Sequence, residues 1–298
     1  MRKSKLDPNE RKKPLPDSRT AFGPILTVIR PPSFSLGTTI SGIKTLVRHR
    51  DLLLTLTLFR LTIRYKQSVL GWIWAVLHPL ATMIVYTFVF SRVAKVRSDG
   101  APYPLFVFSG LLPWIFFSSA VSNAVNGLVN HANLLSKLYF PREIIPLSYV
   151  FAALVDFGIS CVILSGMMVY YRFSVNWNIL YALPIFAILL AFTSAVALFL
   201  SSVQARIRDV ATALPVVLQT LVFATPVVYS LNSIPLQFRR LYLLNPVSSL
   251  IETFRRVAIY RQSPDFSMLL TSSLITLCCL IFAYSYFKAT ESTMADVI

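Results

Sequence analysis

Few side chains in this chain of 298 residues could carry out acid–base or metal chemistry. The three histidines, His49, His78 and His131, are too far apart along the sequence to predict a metal site. Asp156 is the one acidic residue well inside an apolar stretch. An enzyme embedded in a membrane ordinarily presents two acids, or an acid and a histidine, to one cavity. The sequence therefore makes an enzyme the weaker class of function.

Motifs that bind nucleotides or catalyse hydrolysis are also missing. The chain contains no GxxxxGKS or GxxxxGKT phosphate-binding loop, no HExxH zinc motif and no GxSxG nucleophile motif. Its three cysteines lie in apolar stretches and fit neither a disulfide framework nor a zinc site. We therefore expect no metal and no cofactor in this chain, so that any work driven by ATP must come from another protein.

Long uncharged stretches dominate the sequence. Hydrophobic residues make up 55% of the chain, and the mean hydropathy is +0.65. Residues 67–91 form an uncharged stretch of 25 residues, and residues 266–287 form one of 22. Because a helix needs roughly 20 apolar residues to cross the hydrocarbon core of a bilayer, such stretches predict membrane-spanning helices. The predicted fold class is an all-α integral membrane protein.

Six membrane crossings are predicted within a domain over residues 69–290. The spans are expected at about residues 69–91, 104–126, 145–171, 179–203, 211–231 and 266–287. An even number of crossings returns both termini to one side. Of the 28 Lys and Arg residues, 19 then lie on the side of the N-terminus, which the positive-inside rule makes cytosolic. The loops between spans alone favour the opposite orientation, but the first flank usually decides.

Two segments precede the predicted spans. Residues 1–39 are basic and contain several prolines, which predicts a disordered or loosely attached cytosolic extension without a cleaved signal peptide. Residues 40–68 are predicted to form an amphipathic helix in the membrane interface. The candidate residues at the entrance to the first span are Arg60, Arg64, Tyr65 and Lys66.

The segment before the last span, residues 232–262, has an unusual composition. It remains rich in apolar residues although Pro235 and Pro246 interrupt it and charged residues are grouped within it. We expect two short amphipathic helices here. They either lie on the outer surface or dip back into the membrane as a re-entrant segment, where irregular backbone must face protein or water.

A series of motifs follows a fixed order between about residues 60 and 262. It begins with RYKQSVLGWIW at residues 64–74 and continues with SDG at 98–100, LPW at 112–114, YFPR at 139–142, LVDF at 154–157, ATPV at 224–227 and NP at 245–246. This series resembles the ABC type 2 permeases of the polysaccharide and polyol-phosphate exporter branch. His78 stands where we expect Gln in this branch, so the resemblance assigns no contact to the His78 side chain.

The resemblance implies a six-span subunit that forms a homodimer and works with two copies of a cytosolic ABC ATPase, which would hold ATP and Mg. In such permeases a short helix in the loop after the second span seats in the ATPase. The resemblance thereby assigns coupling to Leu138, Tyr139, Phe140, Pro141, Arg142 and Glu143. Alternatively, Arg142 and Glu143 merely cap the third span or anchor it at the lipid headgroups.

A channel for a glycan should be lined by aromatic side chains, because the apolar faces of sugar rings stack on them. Tyr86 and Phe90 lie four residues apart on one face of the first span, and Trp114 and Phe117 lie three apart in the second. Packing or anchoring at the lipid interface is the alternative for each of them. Asp156 is a candidate lining residue too, unless it makes only a structural hydrogen bond to a nearby Ser, Thr or Tyr.

The segment before the last span resembles the re-entrant gate helices of the same permeases. The residues that carry this resemblance are Asn245, Pro246, Glu252, Arg255 and Arg256. Glu252 has the spacing of a helix-surface ion pair with Arg255 or Arg256. Such a pair would equally suit a plain interfacial helix.

The sequence and the resemblance together predict the membrane channel subunit of an ATP-driven exporter. Its expected cargo is a lipid-linked surface polysaccharide of the O-antigen or capsule type, with an anionic teichoic-type polymer as an alternative, and its expected location is the bacterial inner membrane. A first rival is a small-molecule exporter permease of the same superfamily. A second rival is an integral-membrane glycosyl- or phosphoryltransferase, which would act without an ATPase.

Overall fold

The polypeptide folds almost entirely into helices. The computed structural model describes residues 47–66, 69–96, 98–131, 140–173 and 176–297. Within these ranges the chain is helical and has no strand, which confirms the predicted all-α fold class. The predicted N-terminal extension, residues 1–39, lies outside the described residues.

Ten α-helices follow one another in the described residues. They are α1 (Arg50–Lys66), α2 (Ile73–Tyr86, continued by a π-helical segment over Thr87–Val93), α3 (Tyr103–Val125), α4 (Gly127–Asn130), α5 (Ile144–Tyr170), α6 (Ala182–Arg206), α7 (Asp209–Leu221), α8 (Leu236–Leu244), α9 (Pro246–Ala258) and α10 (Phe266–Val297). Short 3₁₀ helices at Trp177–Tyr181 and Leu231–Ser233 precede α6 and α8.

Five helical segments in the described ranges are long and apolar enough to cross a membrane. They are Ile73–Val93, Tyr103–Val125, Ile144–Tyr170, Trp177–Arg206 and Phe266–Glu291. Each coincides with a predicted span to within a few residues. The chain is therefore a multi-pass membrane protein.

The predicted span over residues 211–231 has a different structure. Here α7 ends at Leu221, and turns follow as far as the 3₁₀ helix at Leu231–Ser233. A helix of 13 residues rises about 20 Å, which is short of a hydrocarbon core of roughly 30 Å. Pro226 disfavours the helical conformation at the residue before it, which agrees with the turns over residues 222–227. A sixth crossing stays a prediction.

The central element is α3, which packs against α2, α5, α6, α7 and α9. In the most apolar stretch of α3, 78% of the residues are buried, whereas the figure for the span that contains α2 is 11%. Most of the apolar surface of α2 therefore faces outward. On the other side of the molecule α10 packs along α6. The apolar core thus lies around α3, and α2 forms an edge of the bundle.

The first helix, α1, packs across α5 at one end of the bundle. Thr57, Leu61 and Tyr65 recur every four residues and form its buried stripe. Asp51 in the first turn and basic residues in the last turn suit the helix dipole. We call this the α1 end of the molecule, and the opposite end, where α8, α9 and the start of α10 meet, the α9 end.

Candidate functional site

An ion pair joins α1 to the middle of α5. The guanidinium of Arg64 donates to one oxygen of Asp156 at 2.5 Å, and the hydroxyl of Tyr65 donates to the other at 2.6 Å. Each carboxylate oxygen of Asp156 therefore accepts a hydrogen bond from α1. The ion pair is also what makes a carboxylate tolerable at this depth.

Tyr65 packs against Trp72, in the turn over residues 69–72. Gly71 has a φ of +49°, a conformation that glycine adopts without strain, and this turn brings Trp72 back over Tyr65. The two rings stack with centroids 4.2 Å apart. Burial raises the pKa of Tyr65 to about 12, and the hydrogen bond to Asp156 acts in the same direction. Tyr65 is therefore a protonated donor at neutral pH.

A cavity of about 420 Å³ lies beside this ion pair, between α1, α2, α3 and α5. A second cavity of about 360 Å³ continues between α2, α3 and α7. The two share His78, Ile115 and Ser119 as lining residues, so they form one groove along α3. We call it the α3 groove.

The α3 groove combines aromatic faces with uncharged polar groups. Its aromatic lining comes from Tyr65, Trp74, Tyr86, Trp114, Phe116 and Phe157, and its uncharged polar lining includes Thr82, Ser118, Ser119, Ser122, Asn123, Ser160 and Gln219. Arg64 and Asp156 are the only oppositely charged pair on its described walls. Such a surface can stack on the flat faces of a ligand and bond its hydroxyl groups without holding a net charge.

The structure places the five predicted channel residues in three surroundings. Tyr86, Trp114 and Asp156 line the α3 groove. Phe90 makes an edge contact with Tyr86 at 5.8 Å and is partly buried. Phe117 is buried in the core, where it stacks on Phe192 of α6, so its described contacts are those of packing.

The loop before α5 is fastened to the last helix. Glu143 is completely buried and accepts hydrogen bonds from Lys288 at 2.8 Å and Tyr284 at 3.2 Å. Lys288 also bonds Glu291 at 2.9 Å, and the backbone N–H and guanidinium of Arg142 both donate to Glu291. We call Arg142, Glu143, Lys288 and Glu291 the α10 clamp.

The α10 clamp includes two of the six residues predicted to couple to an ATPase, Arg142 and Glu143. Leu138 and Tyr139 lie outside the described residues. Phe140 packs partly against the apolar cluster at the α1 end, and the carbonyl of Pro141 accepts a hydrogen bond from Ile144 at the start of α5. The third span is thus anchored through Arg142 and Glu143, and the anchor is α10.

Comparison with known proteins decides the family. The sequence pattern of the family described as "ABC-2 type transporter" matches residues 51–259, from α1 to the end of α9. The chain belongs to this ABC-2 type transporter family.

Curated relatives of this transporter carry the names of permease and transport proteins. It is 30% identical over 258 residues to the "O-antigen export system permease protein RfbA" of Myxococcus xanthus, which covers 86% of this chain and 98% of that protein. A Klebsiella pneumoniae protein of the same name is 32% identical over 210 residues, covering 70% of this chain and 80% of that protein. The "Polysialic acid transport protein KpsM" of Escherichia coli is 23% identical over 237 residues, covering 78% and 90%.

Family membership fixes the general class of function. The chain is the membrane subunit of an ABC transporter and works with an ABC ATPase, which confirms the prediction that it is not an enzyme. The rival interpretation as a membrane transferase is thereby excluded.

One predicted interaction of the ABC-2 subunit is wrong. Arg255 does not face the helix surface: it is fully buried, and its guanidinium donates to the carbonyls of Pro226 at 2.5 Å, Val227 and Tyr229 at 3.3 Å. Arg256 pairs instead with Asp265 at 4.0 Å. In the described part of the chain neither arginine forms an ion pair with Glu252. The spacing of these residues was correct, but the helix face that carries them is buried.

The other predicted gate residues start a helix. The side chain of Asn245 accepts a hydrogen bond from the N–H of Val247 at 3.1 Å, and Pro246 is the first residue of α9. This is a regular N-terminal cap followed by proline, which has no N–H to lose. A re-entrant position in the membrane stays a prediction.

Of the four predicted entrance residues, three contact α5 and one is exposed. Arg60 lies over the ring of Tyr149, 3.3 Å from its centroid, and donates to Ser148 at 2.6 Å. Arg64 and Tyr65 hold Asp156, whereas Lys66 is exposed at the end of α1. Three of these four residues therefore fasten α1 to α5.

Sequence reasoning missed the partners of Arg142 and Glu143 on α10. Lys288 and Glu291 were not singled out, although their separation by three residues is a spacing at which helical side chains meet. The polar residues Asn123 and Gln219 of the α3 groove were also missed. Their signal was an amide inside an apolar helix, which is costly unless it faces a partner or a wet cavity.

Proposed function

We propose that this ABC-2 subunit forms half of a channel that exports a lipid-linked surface polysaccharide, of the O-antigen or capsule type, across the bacterial inner membrane. Two copies of the chain would act with two copies of the ATPase. The ATPase would bind ATP and Mg, and both termini of the permease would be cytosolic. The relatives named for O-antigen export and for polysialic acid transport support the cargo class.

The observation that carries this proposal is the α3 groove. A polysaccharide offers repeated apolar ring faces and hydroxyl groups, and the groove presents aromatic rings and hydroxyl or amide groups along the same path. A conduit for a long polymer must bind each unit weakly, so a lining with one neutralised ion pair suits it better than a strongly charged one. A compact apolar drug would require no row of hydroxyl and amide groups.

The groove also supports a homodimer. Its second part is bounded by α2 on one side and α7 on the other, and α3 forms its floor. Both bounding helices expose large apolar side chains, among them Ile84 and Phe88 on α2 and Val216 and Val217 on α7. In a membrane such surfaces face lipid or a second copy of the chain, and a copy related by a twofold axis would close two grooves into one channel.

The distribution of basic residues supports the proposed orientation. Of the 28 Lys and Arg residues, 14 precede the first span, and by the positive-inside rule this favours a cytosolic α1 end. The loop before α5 and the α10 clamp then lie where a cytosolic ATPase can push on them. Movement of that loop would be passed directly to α10, which packs along α6.

Co-purification followed by mass spectrometry tests this proposal. The tagged permease should bring down an ABC ATPase and a lipid carrying a glycan when it is isolated from its own cells in mild detergent. Recovery of the ATPase with a small apolar molecule and no glycan lipid would favour the rival small-molecule exporter. Recovery of one permease copy for each complex would contradict the homodimer.

A further inference from the structure

A second polar cavity lies at the α9 end, away from the α3 groove. It measures about 210 Å³, and its lining includes Asp99, Asn232, Arg239, Glu252, Arg256 and Tyr260. These residues come from the turn before α3, the 3₁₀ helix before α8, and helices α8 and α9 with the turn that follows. We call it the α9 pocket.

Glu252 is the most unusual group in the α9 pocket. The residue is only 8% exposed, yet its carboxylate has no hydrogen bond or ion pair with any residue in the described ranges. Burial raises the pKa of Glu252, and the neighbouring Arg255 and Arg239 oppose that change. Glu252 lines the pocket, and since its carboxylate accepts no hydrogen bond from the described residues, it can accept hydrogen bonds from a ligand.

The other walls of the pocket hold both donors and acceptors. Asp99 accepts from Ser230 at 2.5 Å and from the amide of Asn232 at 3.2 Å, and the oxygen of that amide accepts from Arg239 at 2.8 Å. The Nε groups of Arg239 and Arg256 are buried and have no hydrogen-bond partner among the described residues. The pocket is therefore lined by two guanidinium groups and by a carboxylate that accepts no hydrogen bond from the described residues.

The charges on the walls select against ions. Two carboxylates, Asp99 and Glu252, face two guanidinium groups, Arg239 and Arg256, so that neither a cation nor an anion gains from the whole site. A neutral ligand with adjacent hydroxyl groups can donate to the carboxylate and accept from the N–H groups at once. At roughly 30 Å³ for each water, the volume corresponds to about seven waters, which suits one sugar ring.

We propose that the α9 pocket binds one neutral sugar residue of the exported glycan at the outer end of the channel, with Glu252 as the hydroxyl acceptor. This inference rests on the proposed function and names a subsite for its cargo. The α9 pocket is separate from the α3 groove, and the two share no described lining residue. A sugar bound there would be retained on the outer side between cycles of ATP hydrolysis.

Saturation-transfer NMR on the intact permease–ATPase complex in nanodiscs tests the inference. The probes are free D-mannose, D-galactose, L-rhamnose and N-acetyl-D-glucosamine. We expect at least one of them to bind the wild type and its affinity to fall about tenfold or more in Glu252→Gln, which replaces a charged hydrogen-bond acceptor by a weaker neutral one. Asp209→Asn, the same kind of change at an exposed site on α7, is the matched control and should bind as the wild type does.

Two results would overturn the α9 pocket as a sugar site. One is that none of the four probes binds the wild type, and the other is that Glu252→Gln and Asp209→Asn bind a probe equally well. If Glu252→Gln does not fold, Asn232→Ala at the pocket rim replaces it, with the same expected loss. Export of glycan by a wild type that binds no sugar overturns the pocket alone, whereas sugar binding that needs Glu252 without any glycan export overturns the proposed function alone.

Discussion

Arg255 is fully buried although it carries a charge. Its guanidinium lies over the ring of Phe106 at 3.9 Å and donates to carbonyls in the turns after α7, so one side chain holds α9, α3 and these turns together. The carbonyls it bonds belong to backbone that is outside any helix and has few other donors. Arg255 therefore stabilises the irregular segment that replaces the second half of the predicted fifth span.

Gly110 of α3 provides the space for Arg255. A Cβ at this position would lie 2.7 Å from the carbonyl oxygen of Val227 and would also collide with the guanidinium. We predict that Gly110→Ala destabilises the protein by about 1–3 kcal/mol, as overpacking of a core does. The control is Gly166→Ala on α5, where a Cβ would meet nothing within 4 Å. Thermal unfolding in detergent should show a lower Tm for Gly110→Ala only, and equal Tm values for the two variants would refute this account of Arg255.

Asp156 and Arg64 allow a second prediction about single residues. Either Asp156→Asn or Arg64→Gln breaks the ion pair and should lower stability by about 1–3 kcal/mol, whereas the double variant should lose less than the sum. Glycan transport should fall in both single variants, because α1 is released from the wall of the α3 groove. Asp51→Asn, which alters an exposed pair at 3.8 Å, is the control. Full transport by Asp156→Asn would show that the pair is only structural.

The α10 clamp links two elements that are far apart in sequence, the loop before α5 and α10. Because Glu143 is completely buried, removing Lys288 leaves a buried carboxylate with only Tyr284 as a donor. We predict that Lys288→Met and Glu143→Gln are each destabilising by a few kcal/mol and that the double variant recovers much of the loss. Thermal unfolding of the four proteins measures this. A double variant as unstable as the sum of the two losses would mean that the residues act independently.

The α10 clamp also changes how ATPase coupling must be tested. Alanine at Arg142 and Glu143 should reduce ATPase stimulation, but it also frees α10 from the loop. The Glu143→Gln/Lys288→Met pair keeps the packing while it removes the charges. Loss of stimulation in that double variant would assign a role to the charges themselves.

The sequence predicts the long helices well and the contacts between them poorly. Uncharged stretches located α2, α3, α5, α6 and α10 because length and hydropathy are local properties. The end of α7 at Leu221 was missed, since the apolar stretch continues to residue 231 although the backbone turns. Arg64 and Asp156 are 92 residues apart, and nothing local shows that α1 crosses α5 at that point. Spacing placed Glu252 and Arg255 on neighbouring positions of a helix but did not show that this face is buried.

At the scale of the whole molecule, α2 and α7 are the apolar edges that a second copy would cover. We predict that Ile84→Cys on α2 and Val217→Cys on α7 form a disulfide between two copies when both are present in a background without the native cysteines. Both positions are more than half exposed, at 61% and 55%. Ile84→Cys with Leu274→Cys on α10 is the control, because α10 packs along the far side of α6. A dimer band of equal strength in both pairs, or in neither, would contradict the proposed interface.

Reconstituted export tests the central claim, that this chain is a channel half which moves a glycan with work supplied by an ATPase. The permease and its co-purified ATPase are placed in sealed vesicles with the lipid-linked glycan in the outer, cytosol-equivalent leaflet, and glycan that reaches the lumen is measured. We predict that glycan accumulates inside only when both proteins and hydrolysable ATP are present. Accumulation with the permease alone, or none with the complete system, would contradict the account.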